Sequence, residues 1–137
     1  MERRDFIKGT CALCGFTLLG GSLASCGKSN VGPQQPKNVN FTLDLSNSSN
    51  AGLNQVGGSV VQSNVIVVHT SNGYIALSDV CTHAGCSVSY SSSSNTFNCP
   101  CHGGVYDING NVVSGPPPSS LPKYKTVLTG AILTVTS

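Results

Sequence analysis

Tryptophan is absent from this chain, methionine occurs once, and charged side chains make up only 9% of the 137 residues. Three of the seven basic residues, Arg3, Arg4 and Lys8, fall in the first eight positions, so the formal balance of +2 leaves no basic face for nucleic acid and no acidic tail. Nothing has the pattern of a hydrolase nucleophile with its base. Helical periodicity is missing beyond the first 26 residues, and no internal repeat is visible. What is plentiful is Gly (16), Pro (7), and Ser, Thr, Asn and Val, the composition of short strands joined by tight turns. The length suits one domain with a modest core and is too short for two. An all-β domain is expected.

Residues 1–25 read as an export signal. Met1 to Lys8 is a charged head, and Gly9 to Cys26 is an uncharged, Gly-rich stretch that is marginal for spanning a bilayer. Arg3-Arg4-Asp5-Phe6-Ile7-Lys8 resembles a twin-arginine signal, the address of proteins exported already folded. Leu23-Ala24-Ser25-Cys26 resembles a bacterial lipobox, which would cleave before Cys26 and place a lipid on its thiol. An uncleaved membrane anchor and a buried amphipathic helix are the alternatives. On the export reading Cys11 and Cys14 leave with the signal, and lipidated Cys26 holds the protein on the periplasmic side of a membrane. Residues 26–37 are polar and Pro-rich with Val31 as their only large apolar residue, and read as a flexible tether. The folded domain is then 38–137.

Alternation marks the strands. Phe41, Leu43 and Leu45 point one way and Thr42 and Asp44 the other, as a half-buried strand requires. A weaker strand is expected near 59–62. Strands at 65–69 and 74–79 flank Ser71-Asn72-Gly73, and strands at 105–108 and 111–113 flank Asn109-Gly110; Asn-Gly marks hairpins because both residues tolerate positive φ. Val88, Tyr90 and Phe97 alternate around a polar turn at 91–95, and strands at 124–128 and 131–135 turn at Thr129-Gly130. No helix is expected in the mature chain.

Four cysteines and two of the three histidines lie in the 22 residues from Cys81 to His102. They form two loops, Cys81-Thr82-His83-Ala84-Gly85-Cys86 and Cys99-Pro100-Cys101-His102-Gly103-Gly104. Donors this dense point to a metal or cluster. Neighbours in extended backbone point to opposite sides, so Cys101 and His102 do not share a centre, which pairs His102 with Cys99 at i and i+3. His83 goes with Cys81 or with Cys86, and spacing does not choose. The cysteines spared, one in each loop, would oxidise to a disulfide in an exported domain. His69 stands in a hairpin away from any cysteine and reads as a plain strand histidine.

The two loops, twelve residues apart, resemble the cluster loops of Rieske iron–sulfur proteins. The resemblance implies a [2Fe–2S] cluster with Cys81 and Cys99 on one iron, His83 and His102 on the other, and a Cys86–Cys101 disulfide. It covers roughly 79–118, including Tyr106, which matches a family tyrosine that hydrogen-bonds a ligand sulfur. Gly115-Pro116-Pro117-Pro118 matches the proline loop over the cluster, with Pro117 in its middle. The disulfide is similar to that of the quinol-oxidising cytochrome bc and arsenite oxidase types. Ferredoxins serving ring-hydroxylating dioxygenases usually lack it. Two positions depart from the cytochrome bc pattern: Gly104 replaces a Ser that donates to a bridging sulfide, and Ala84 replaces a Leu that often shields the site. Ser at 104 is therefore expected to raise the midpoint potential by tens of millivolts, on the order of 20–100 mV, provided the backbone accepts a Cβ.

The implied fold is all-β, a Rieske-like antiparallel β-sandwich with a small cluster-binding subdomain. The implied function is an exported electron-transfer protein passing single electrons to or from a redox partner protein or quinol, with no nucleic acid involved. The alternatives are a Rieske subunit of a quinol-oxidising cytochrome bc-type or arsenite oxidase-like complex, and, from another class, a structural Cys₂His₂ zinc module. A secreted β domain with two disulfides and idle histidines is the plainest alternative. Two thiolates and two neutral imidazoles leave an oxidised cluster formally neutral, whereas four thiolates make it more negative, so histidine ligation raises the potential. The free ring nitrogens keep protons that oxidation acidifies, which couples electron to proton transfer.

Overall fold

The computed structural model describes residues 33–137, so the export-signal reading, Cys26 and residues 26–32 of the tether lie outside the described residues. In chain order the strands are β1 (Asn40–Asp44), β2 (Ser59–Gln62), β3 (Val65–Thr70), β4 (Gly73–Ser78), β5 (Ser89–Ser91), β6 (Thr96–Cys99), β7 (Gly104–Tyr106), β8 (Val112–Ser114), β9 (Lys123–Thr129) and β10 (Ile132–Thr136). Six form one sheet in the order β1-β10-β9-β4-β3-β2, and four form a second in the order β5-β6-β7-β8. All named pairs are antiparallel. The two sheets are the all-β, two-part architecture expected from the sequence.

Strand β3 explains how the parts join. Val65, Ile66, Val67 and Val68 are all buried, so this strand has an apolar neighbour on both faces. Val65 and Val67, with Ala76 of β4, face a core made with Leu43, Leu53, Tyr124, Leu133 and Val135. Ile66 and Val68, with Leu77, face the other way into a core with Cys81, Val88, Phe97, Cys99, Tyr106 and Leu121. The β3–β4 hairpin is thus a wall shared by two cores, and the second core ends at the cysteines of both loops. Burying a side chain such as Phe97 contributes about 1.5–3 kcal/mol.

Three local features differ from the sequence expectation. A 3₁₀ helix runs from Ser48 to Asn54, capped by Asn47, whose Oδ1 accepts from the Ser49 N–H at 3.0 Å. Only Leu53 of this helix is buried, so no apolar periodicity announces it. The Asn-Gly hairpins stand where expected, but of Asn72, Gly73, Asn109 and Gly110 only the glycines have positive φ. The turn with both central residues at positive φ is Ser63-Asn64, between β2 and β3. In the tether, the Pro36 carbonyl accepts from the Tyr124 hydroxyl at 2.8 Å, and the Gln35 Nε2 donates to the Val80 carbonyl at 3.0 Å. Its last residues therefore lie against the domain. Among the described residues no helix is long and apolar enough to cross a membrane.

Candidate metal centre

Each loop begins on a buried cysteine and makes the same turn. The Cys81 carbonyl accepts from the Gly85 N–H at 2.9 Å, and the Cys99 carbonyl accepts from the Gly103 N–H at 3.0 Å. Both glycines sit at positive φ, +75° and +73°, which lets the chain reverse there without a Cβ penalty. The turn points the first cysteine inward and lifts the histidine to the tip. Cys81 and Cys99 are 0% and 1% exposed, while His83 and His102 are exposed.

The histidine rings approach edge to face with centroids 4.6 Å apart, and their Nδ1 atoms are 3.2 Å apart. Two nitrogens bound tetrahedrally to one metal at about 2.0–2.1 Å would stand about 3.3 Å apart. Cys86 and Cys101 form a disulfide with Cα atoms 6.4 Å apart, joining the loops. That leaves Cys81, not Cys86, as the free thiol of the first loop. Among the described residues no three His, Cys, Asp or Glu side chains gather on one point. The donors fall instead into a thiol pair and an imidazole pair, which suits a dinuclear cluster and not a single four-coordinate zinc ion.

Tyr106 lies beneath the first loop. Its hydroxyl is 3.3 Å from the Cys81 Sγ, accepts from the Thr82 N–H at 3.1 Å, and is 3.0 Å from the Thr82 Oγ1. Thr82 donates its own proton to the Ser119 carbonyl at 2.7 Å, so the single Tyr106 proton serves the Cys81 sulfur and the Thr82 oxygen. Burial works against a Cys81 thiolate, yet bonds from Tyr106 and the His83 and Ala84 N–H groups hold its pKa below the ordinary thiol value. Burial, reinforced by Cys81, pushes Cys99 up; burial and Cys81 likewise push Tyr106 up. Thr82 and Ser119 were not singled out from sequence. The Thr in Cys-Thr-His is the only signal that could have found them.

Gly104 and Pro117 touch. Both are buried, and a Cβ on Gly104 would stand 2.5 Å from the Pro117 Cγ and 3.6 Å from the Cys99 Cβ. Gly115 closes on the same spot, since its Cβ would come within 2.7 Å of the Gly104 Cα. The condition attached to a serine at 104 therefore fails: the proline loop occupies the space. Ala84 is exposed beside His83. His69 lies outside the site, stacked on Tyr74 with centroids 4.4 Å apart.

Comparison with known proteins places this arrangement. Residues 26–125 match the Rieske [2Fe-2S] domain. The cytochrome b6-f complex iron-sulfur subunit of Chlorobaculum thiosulfatiphilum is 42% identical over 69 residues, 50% of this chain and 38% of that protein. The subunit of the same description from Prochlorococcus marinus is 55% identical over 49 residues, 36% of this chain and 28% of that protein. The chain thus matches well under half the length of these relatives. In fold it is similar to the ferredoxin of carbazole 1,9a-dioxygenase from Nocardioides aromaticivorans, with a TM-score of 0.53 at 24% identity over 62% of this chain and 91% of that one. With matching covering most of its length, the chain belongs to the Rieske [2Fe-2S] domain family.

Proposed function

We propose that this chain is an exported, lipid-anchored electron carrier, binding its [2Fe–2S] cluster through Cys81 and Cys99 on one iron and His83 and His102 on the other. The observation that carries the ligand set is the separation of donors into a buried thiol pair and an exposed imidazole pair with Nδ1 atoms 3.2 Å apart. When bound, the cluster supplies a one-electron couple. The protein does the rest. The buried cysteines keep one end away from water, Tyr106 donates toward the Cys81 sulfur, and the exposed imidazoles leave their Nε2 atoms free to hold or release a proton at the surface.

The partner is a quinol or a redox protein at the periplasmic face. A second reading, a subunit of a quinol-oxidising complex, is supported by relatives described as cytochrome b6-f subunits; an arsenite oxidase-like assembly has the same disulfide type. Reduced protein should give the EPR signal of a [2Fe–2S] cluster with nitrogen ligands, and His83→Cys or His102→Cys should lose the cluster or lower its potential. Unchanged spectrum and potential in both variants removes the ligand set. A colourless, EPR-silent protein holding zinc removes the function. Native protein should sediment with membranes and be released by detergent, with Cys26→Ser blocking that processing; fully soluble protein with another N-terminus refutes the anchor.

A further inference from the structure

The segment read from sequence as tether makes contacts that a tether has no use for. Gln35 places both ends of its carboxamide on the chain entering the first loop. Its Nε2 donates to the Val80 carbonyl at 3.0 Å, and its Oε1 accepts from the Ser78 hydroxyl. The Ser78 Oγ in turn accepts from the Val80 N–H at 3.0 Å. Both peptide groups of Val80, the residue before Cys81, are thereby held through one side chain 45 positions upstream. Two further contacts fix the segment. Pro33 lies beside Gly85, so that a Cβ there would stand 3.4 Å from the Pro33 Cβ, in ordinary van der Waals contact, and the Pro36 carbonyl takes the Tyr124 hydroxyl at 2.8 Å.

We propose that residues 33–36 are a strap across the base of the first cluster loop, with Gln35 as a positioning residue for Cys81 and His83; this rests on the ligand assignment above. Ser78 is fully buried. Without Gln35 its hydroxyl proton has no acceptor, and the Val80 carbonyl loses its donor, so the cheapest relief is for the loop entrance to open. Among the described residues the second loop has no such strap, and its Gly104 packs against Pro117 instead. Because the strap continues toward Cys26, a pull on the N-terminal segment acts first on the contacts of Pro33 and Gln35, and through them on Val80, on Ser78 at the end of β4 and on the histidine-bearing turn.

The test uses the full chain with its cluster and compares Gln35→Ala, Gln35→Glu, Ser78→Ala and the Gln35→Ala/Ser78→Ala double variant. Amide exchange is read at Cys81 and Gly85, whose N–H groups bond within the first loop, against Gly103, which makes the same bond in the second. Gln35→Ala should speed exchange at Cys81 and Gly85 at least tenfold, leave Gly103 within twofold, and shift the EPR line shape of the reduced cluster. Gln35→Glu keeps the acceptor for Ser78 and should fall between. In the double variant the effects should be less than multiplicative, since both residues act through one network. Equal acceleration at all three amides means general loosening and overturns the proposal. So does native exchange in Gln35→Ala with an unshifted spectrum. A wild-type protein without the [2Fe–2S] signal defeats the ligand assignment instead.

Discussion

The six-stranded and four-stranded sheets are held together by different means. The larger sheet relies on regular ladders of strands up to seven residues long, around a core of aliphatic side chains and Tyr124. The smaller has strands of three or four residues, too short to be stable alone, and leans on the β3–β4 wall, the disulfide and the Tyr106 hydrogen bonds. The chemistry is thus carried by loops stapled onto a scaffold that does not need them. Damage to the staples should stay local, whereas damage to the wall or the larger core should reach both parts.

The largest expected effect draws that line directly. Cys81→Ser or Cys99→Ser should abolish visible absorbance while amides of β9 and β10 keep native exchange rates. Leu133→Ala, in contrast, should cost about 2–5 kcal/mol and lower protection in both sheets, as buried Leu truncations do. If the cysteine variants unfold β9 and β10 as well, the two regions are one cooperative unit.

Next comes the disulfide. Replacing Cys86 and Cys101 with Ser removes a link between residues 15 apart in sequence, worth about 3 kcal/mol on the chain-entropy account. Faster cluster loss to a chelator should accompany it, with the melting of the larger sheet little changed. Native protein with two free thiols at these positions would count against the bridge itself.

Gly104→Ser ranks third. Its Cβ meets the Pro117 ring, so overpacking of about 1–3 kcal/mol should displace the proline loop and expose the cluster before any gain from the hydroxyl appears. Adding Pro117→Gly should relieve the contact and recover the increase in midpoint of tens of millivolts expected from sequence. Voltammetry of the single and double variants measures both. A raised midpoint with native cluster retention in the single variant means the ring yields readily.

The smallest effect is at Asp107. Burial opposes its charge, but N–H groups of Asn111 and Asn109 hold its carboxyl below the ordinary carboxylate range. A lowered folded pKa stabilises the protein above the ordinary value and loses that stability as pH falls through the folded one. Because the carboxylate faces solvent, the contribution is small, about a few tenths of a kcal/mol. Asp107→Asn should flatten the acid limb of a chemical-denaturation profile by that amount and leave neutral stability near native.

Much of this was legible in the chain. Period-two alternation gave β1, since Leu43 is buried between exposed Thr42 and Asp44, and Asn-Gly pairs marked two hairpins. Six donors in 22 residues mark the two loops that the fold brings together. What stayed hidden depends on partners distant in sequence. Nothing local says that Val65 to Val68 face two cores, that Gln35 reaches Val80, or that Pro117 fills the space beside Gly104. Ser48–Asn54 escaped for the opposite reason, being held by a local cap and one buried leucine.

The unequal exposure of the four cysteines has a consequence in time. Cys101 is exposed and Cys86 partly so, whereas Cys81 and Cys99 are sealed. In an unfolded chain these thiols are equivalent, and any two could pair. Folding sorts them into two classes, a sealed pair and a rim pair that an oxidant can reach. Exchange with a small thiol starts at a sulfur that solvent can touch, so a reductant would form its mixed disulfide at Cys101 first. The bridge is thus the part of the centre that a small thiol reaches, while the inner pair lies beyond it.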